Sequence, residues 1–169
     1  EPFLFSATIA DNISFGVDDA SMDDIISVSR LVKMDDEINK FPSRYDQRVG
    51  ERGVTLSGGQ KQRINLARAL AAEPSVILCD EVTSALDTVV AAAILELLKD
   101  LQAKLNIAIV FISHDIPTVR TLCDDVLVLY KGNAVEYASG EAVSTAPSHD
   151  YTKKLVASVP TLDPGWLDS

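Results

Sequence analysis

Metal-rich and disulfide-stapled scaffolds are excluded first, by scarcity. The 169 residues hold 2 cysteines, Cys79 and Cys123, and 2 histidines. These thiols fall at no zinc-ligand or disulfide-framework spacing, and each sits in an apolar context that suits a buried free thiol in a reducing compartment. Basic residues are also few. Lys+Arg number 15 against Asp+Glu 25, so the formal charge of −10 leaves no basic footprint for a nucleic-acid backbone. Long apolar runs are missing as well: Val89 to Leu95 and Ile107 to Ile112 stop well short of the ~18 residues that span a bilayer. There is no internal repeat and no low-complexity tract. The opening Glu1-Pro2-Phe3 has neither an initiator methionine nor a charged-then-apolar leader, and reads as part of a longer or processed chain.

What is present is the material of a packed globule. Hydrophobic residues make up 47% of the chain and mean hydropathy is +0.13, enough to bury a core. The length suits one domain or two small lobes. Residues 1 to 20 read as mixed and turn-rich, ending in Asp18-Asp19. Ser21 with Asp23 and Asp24 marks a helix start, with Met22, Ile25, Ile26 and Leu31 on its apolar side. Phe41 to Gly53 reads as a loop, and Lys61 to Ala72 as a helix that Pro74 closes, with Ile64, Ala67, Leu70 and Ala71 at helical spacing.

Two short apolar runs, Ser75 to Cys79 and Asn106 to Ser113, precede Asp80-Glu81 and His114-Asp115 respectively. Between them Val90, Ile94, Leu97, Leu98, Leu101 and Leu105 mark a long amphipathic helix beginning after Asp87. Strand, helix, strand predicts a βαβ unit with parallel strands. Ligands of open α/β sheets bind beyond the strand C-termini, which would put Asp80, Glu81 and His114 on one edge. Asp125 to Tyr137 reads as a hairpin turning at Gly132-Asn133, residues 141 to 157 as helical, and 158 to 169 as irregular.

Ser57-Gly58-Gly59-Gln60 has a plain reading as a capping box, Ser-x-x-Gln, with no ligand at all. Two glycines in a first turn are nonetheless poor helix formers, each costing roughly 0.8–1.0 kcal/mol against alanine in a helix interior and less near the end. A side-chain-free helix N-terminus under a positive dipole would suit an anion such as a terminal phosphate.

Leu56-Ser57-Gly58-Gly59-Gln60, followed by Lys61-Gln62-Arg63 and Ala67-Arg68-Ala69-Leu70, resembles the signature motif and signature helix of ABC-type ATPases. The resemblance implies that Asp80-Glu81 is a Walker B pair, with Asp80 in the Mg²⁺ shell and Glu81 orienting or deprotonating the attacking water. Ser84 to Asp87 then looks like the D-loop and His114 like the switch histidine that meets the γ-phosphate. Each has a plainer alternative: a polar strand end for Asp80-Glu81, a helix N-cap for Asp87, an ordinary loop residue for His114. Cys79 reads as a small buried strand residue, His149 is assigned nothing, and the acidic stretch Asp35-Asp36-Glu37, like Asp18-Asp19 and Asp23-Asp24, reads as a solvated face or helix start.

The implied fold is α/β, a partial P-loop NTPase (RecA-like) parallel sheet with an inserted ABC helical subdomain. The implied division is a post-Q-loop segment (1–15), a helical signature subdomain (16–72), the Walker B and switch-histidine half of the core (73–138) and a C-terminal helical extension (139–169). Ser57, Gly58, Gly59, Gln60 and Asp87 would contact ATP, with Glu81 and His114 catalytic and Asp80 on the metal. Implied partners are a second nucleotide-binding domain and transmembrane transporter domains, with no nucleic acid, at the cytoplasmic face of a membrane. Tyr45 to Gly53 resembles an exporter's coupling loop, whereas His149 to Pro160 resembles the tail of peptide importers. Val82 and Asp150 stand where the family has proline, and no G-x-x-x-x-G-K-[ST] occurs. Without that P-loop the chain would lack a primary ATP site and be inactive alone. A non-catalytic interaction module keeping the fold is the alternative; a soluble ABC ATPase of chromosome or repair type would show coiled-coil arms or basic patches, and neither is present.

Overall fold

The computed structural model describes residues 3–50 and 54–159. The readings made on residues 1–2, on 51–53 and on the tail from 160 onward lie outside them. The described residues up to Val110 form one compact unit and those from Phe111 onward a second, and each is described by itself. The architecture is mixed α/β with a small parallel sheet.

The first unit holds α1 (Ile9–Ile13), α2 (Met22–Leu31), α3 (Asp35–Ile38), a 3₁₀ turn (Arg44–Asp46), α4 (Gly58–Ala71), β1 (Val76–Asp80) and α5 (Thr88–Leu105), and its boundary falls within β2 (Ala108–Ile112). The expected caps are present. Ser21 accepts the Asp24 N–H while the Asp24 carboxylate accepts the Ser21 N–H, and Asp87 Oδ1 accepts the N–H groups of Val89 and Val90. Ile94, Leu97, Leu98 and Leu101 fall on one face of α5 at i, i+3, i+4 and i+7 and are all buried, as are Ile64, Ala67 and Leu70 of α4.

The stretch read as turn-rich contains a helix. Five residues are too few for a self-supporting α1, so its stability comes from caps and packing. Thr8 and Asp11 make a reciprocal capping box, and Ile9 and Ile13 are fully buried. Asn12, also fully buried, donates to the carbonyls of Phe5 and Thr8 and accepts the Phe5 N–H. Arg68 of α4 reaches the same asparagine, donating to its carbonyl at 2.7 Å and its Oδ1 at 2.8 Å. Nearby, Ile9 N–H donates to the Gln47 carbonyl and Val49 N–H to the Ala7 carbonyl, so the loop after the 3₁₀ turn is zipped to the N-terminal segment.

β1 and β2 pair across the α5 crossover, as the strand-helix-strand pattern anticipated. Along β1 the burial alternates: Ile77 and Cys79 point inward, while Val76 and Leu78 are 52% and 64% exposed. Val110 and Ile112 of β2 are 50% and 47% exposed. A strand this apolar on both faces is built to be covered on both, and here one face is open.

The second unit holds α6 (Ile116–Leu122), β3 (Asp125–Tyr130), β4 (Asn133–Ser139), α7 (Gly140–Thr145) and α8 (Asp150–Ala157). The hairpin is present, but its turn is Lys131-Gly132, with φ +50° and +78°, the pair of positive values that a two-residue type I′ loop requires. Asn133 therefore opens β4 instead of closing the turn. Residues 141 to 157, read as helical, form two helices. Pro147, between them, has no N–H to continue a helix, and His149 Nδ1 accepts the Tyr151 N–H to cap a new one. The short α6 was not anticipated.

Two predictions follow from this packing. The open apolar face should drive self-association of the 169-residue chain, and Leu78→Lys with Val110→Lys should reduce it; a monodisperse monomer of the unsubstituted chain by light scattering would count against this. Glu136 of β4 accepts the N–H groups of Ser148 and His149, chiefly the former, and this holds its carboxyl down to about 2 from an ordinary 4.5. A depressed carboxyl stabilises above its unfolded value and loses that contribution as pH falls. Protection of the Ser148 and His149 amides, taken relative to intrinsic exchange at each pH, should fall between pH 4.5 and 2, and Glu136→Gln should flatten the dependence.

Candidate functional site

The N-terminal tip of α4 is built by Ser57 in an extended conformation. Its Oγ accepts the Gln60 N–H at 3.2 Å, and Gln60 Oε1 returns by accepting the Ser57 N–H at 2.9 Å. The plain capping-box reading is thus correct as local structure. It leaves more than it uses, however. As a cap the serine oxygen acts as acceptor, so its own proton is still available, and the helix cannot itself satisfy its first amides. Ser57 and Gly58 are exposed, Gly59 and Gln60 half-buried, and no acidic residue occupies the first turn to offset the positive helix end.

The glycines have a reason that sequence reasoning did not supply. A Cβ on Gly58 would lie 2.9 Å from Leu86 Cδ2, and one on Gly59 would lie 2.7 Å from Val90 Cγ1. The chain's own close packing thus favours the absence of side chains here, since a Cβ at either position would push the Leu86 or Val90 methyl aside, whatever else approaches the tip.

Asp80 is the exposed last residue of β1, and Glu81 follows it with φ +47°, a left-handed conformation unusual for a side-chain-bearing residue. The turn is tied down by Ser84, whose N–H and hydroxyl both donate to the Glu81 carbonyl, at 3.1 and 3.0 Å. Gln62 of α4 donates through Nε2 to the Val82 carbonyl at 2.8 Å. Val82 serves this bond as well as a proline would, since only its carbonyl is used. The structure thus brings residues 57–62 against the Glu81 to Val90 segment, and Asp87 caps α5 within it. His114, exposed and two residues beyond β2, belongs to the second unit.

Two side chains of this region have partners that the sequence did not indicate. Gln62, read only as part of the signature helix, is one; the other is Glu37 of α3, assigned above to a solvated face or helix start. Its Oε2 accepts Gln60 Nε2 at 2.8 Å and its Oε1 accepts Arg63 Nη1 at 3.1 Å. A pairing across 23 residues leaves no local pattern to read.

Among the described residues no group of three or more His, Cys, Asp or Glu side chains converges to cage a metal. The adjacent carboxylates Asp80 and Glu81 suit Mg²⁺ held mostly by phosphate and water oxygens, which is how that ion usually binds at phosphate sites. Cys79, next to Asp80, is 3% exposed, and burial pushes its thiol up to about 11, so it is a structural residue as expected. A cleft of about 850 Å³, lined by Val17, Asp18, Ile25, Leu70, Glu73 and Ile107 among others, lies at the opposite end of the 14-residue α4, about 20 Å from the tip.

The family model described as "ABC transporter" matches residues 1–84. The mitochondrial ABC transporter B family member 24 of Arabidopsis thaliana is 42% identical over 140 residues, 83% of this chain and 20% of that protein. A Brucella ovis ATP-binding protein named for peptide import is 48% identical over 109 residues, 64% of this chain and 34% of that one. Among solved structures, a bacterial Atm1-family ABC exporter with ATP bound is similar with a TM-score of 0.74 and 34% identity, over 91% of this chain and 26% of that chain. The chain spans between 20% and 34% of the length of these proteins.

The packing of Gly59 is testable by magnitude. Alanine there gains less than about 1 kcal/mol of helix propensity, whereas overpacking costs about 1–3 kcal/mol. The steric effect should win, so Gly59→Ala is expected to lower the melting temperature and Val90→Ala to relieve it. Melting of the four variants of the cycle should reveal coupling of about 1 kcal/mol, and strict additivity would refute the contact.

Proposed function

The chain belongs to the ABC transporter family, and from that premise we propose that it is the signature-bearing, C-terminal portion of a transport ATPase's nucleotide-binding domain. In this reading the βαβ unit is part of a RecA-like P-loop NTPase core, over residues 73–138. Residues 16–72 are the inserted helical subdomain, 1–15 the segment after the Q-loop and 139–169 a C-terminal extension. The α4 tip completes a nucleotide site whose phosphate cradle is on a second nucleotide-binding domain.

The observation that carries the proposal is the tip itself: an exposed hydroxyl and an exposed glycine at the positive end of a 14-residue helix with no acidic residue in its first turn. Ser57 would donate its hydroxyl proton to a terminal phosphate oxygen, and the Gly58 and Gly59 amides would face the same group. Asp80 would hold Mg²⁺, Glu81 would orient or deprotonate the attacking water, His114 would bond the terminal phosphate, and Asp87 would line the site while capping α5. ATP and Mg²⁺, when bound, supply the phosphoanhydride and neutralise its charge. The assembly would work at the cytoplasmic face of a membrane with transmembrane transporter domains. No helix among the described residues is long and apolar enough to cross a membrane.

The alternative reading is a non-catalytic interaction module that keeps the fold. One experiment separates the two. The chain alone should show no micromolar ATP binding by calorimetry and no turnover sensitive to Glu81→Gln. Mixed with a P-loop-bearing ABC ATPase domain loaded with ATP and blocked in hydrolysis, it should associate only when nucleotide is present. Ser57→Asp keeps an N-cap but sets a carboxylate against the phosphates, and should weaken association by at least about tenfold. Association indifferent to both ATP and Ser57→Asp would favour the interaction module.

A further inference from the structure

We propose that Glu37 is a positioning residue for the α4 tip, locking the Gln60 side-chain amide in the one orientation that keeps the capping box closed. The proposal rests on the phosphate-facing reading of that tip. A glutamine amide has an acceptor oxygen at one end and a donor nitrogen at the other, and the capping box needs the oxygen turned toward Ser57. Gln60 Oε1 is committed to the Ser57 N–H at 2.9 Å, which directs Nε2 away, onto Glu37 Oε2 at 2.8 Å. A flipped amide would set donor against donor at Ser57 and open the box. The carboxylate accepts only, so it admits one orientation of Gln60, and its charge strengthens the bond.

Glu37 is itself oriented. Arg63, one helical turn beyond Gln60, takes the other carboxylate oxygen at 3.1 Å. The short α3 that carries Glu37 is anchored by fully buried Ile38 and by Asp35, which accepts the Tyr45 hydroxyl at 2.7 Å and Arg30 Nε at 3.1 Å. Both ends of the Gln60 amide are therefore committed within the chain. This gives Gln60 a bracing role alongside the nucleotide contact expected of it, with the Ser57 hydroxyl and the glycine amides as further outward groups.

Two readouts test it in the 169-residue chain. By amide hydrogen exchange, Glu37→Ala should speed exchange of the Ser57 and Gln60 amides about tenfold, the scale of a lost charge-assisted hydrogen bond, without a matching drop in melting temperature. Glu37→Gln, which still offers an oxygen to Gln60 Nε2, should restore most of the protection. Unchanged exchange in Glu37→Ala, or an equal loss in both variants, would overturn the brace. In the second readout, association with the ATP-loaded P-loop domain should weaken about tenfold in Glu37→Ala and recover in Glu37→Gln. Association unaffected by Glu37→Ala while exchange accelerates would overturn the positioning role. If exchange behaves as expected but the unsubstituted chain never associates, the brace stands and the phosphate-facing reading falls.

Discussion

One guanidinium ties the beginning of the first unit to its central helix. Arg68 donates to the carbonyl and side chain of Asn12 and to the Phe3 carbonyl, while its cationic plane lies 5.1 Å from the Phe5 ring centroid and 5.9 Å from that of Phe15. Burial lowers the Arg68 pKa, yet an arginine remains charged, so the cost of desolvation must be met by hydrogen bonds and ring faces. Asn12, at 0% exposure, in turn satisfies the Phe5 and Thr8 backbone. A helix as short as α1 exists because this network removes its alternatives. Loss of the arginine would strand buried acceptors, a larger penalty than the bonds' net contribution.

With the N-terminal segment held against it, α4 organises the rest of the first unit from its two polar ends. Its N-terminus is closed by Ser57 and Gln60, braced by Glu37, and pressed so near to Leu86 and Val90 that a Cβ on either glycine would push one of those side chains aside. Gln62 reaches the turn after Glu81. The plain and the functional readings of this region therefore coexist. A capping box consumes the serine oxygen as acceptor and leaves its proton, and an N-cap aspartate stays exposed at the mouth of its helix. Local structural duty is no evidence against a ligand, nor is it evidence for one.

The sheet poses the converse problem. Val76 and Leu78 form the open side of β1, whose other side, Ile77 and Cys79, is packed, and Val110 of β2 is likewise half exposed. Burial of apolar area is the main favourable term in folding, so a side chain such as Leu78 at 64% exposure leaves much of that term unrealised. A layered α/β core needs covering on both faces. The proposed role as part of a larger domain explains why the strand sequences are apolar on both.

Much of this was written in the residues. The helix starts at Ser21 and Asp87, the span of α5, both strands of the βαβ unit and the hairpin are local events, set by periodicity, caps and turn chemistry within a few positions. The motif strings of the candidate site were legible for the same reason. Other features depended on distance in sequence. The helix α1 required Arg68, the break near Pro147 gained its second helix from Glu136 and His149, and the glycines of the tip were explained by Leu86 and Val90. The role of Glu37 lay 23 residues from its partner. By itself the sequence determined which residues could begin, end and face each element, because those preferences arise from neighbouring backbone and side-chain sterics. Only the tertiary structure decided which side chains brace the site, because long-range hydrogen bonds and close packing exist only once remote segments have met.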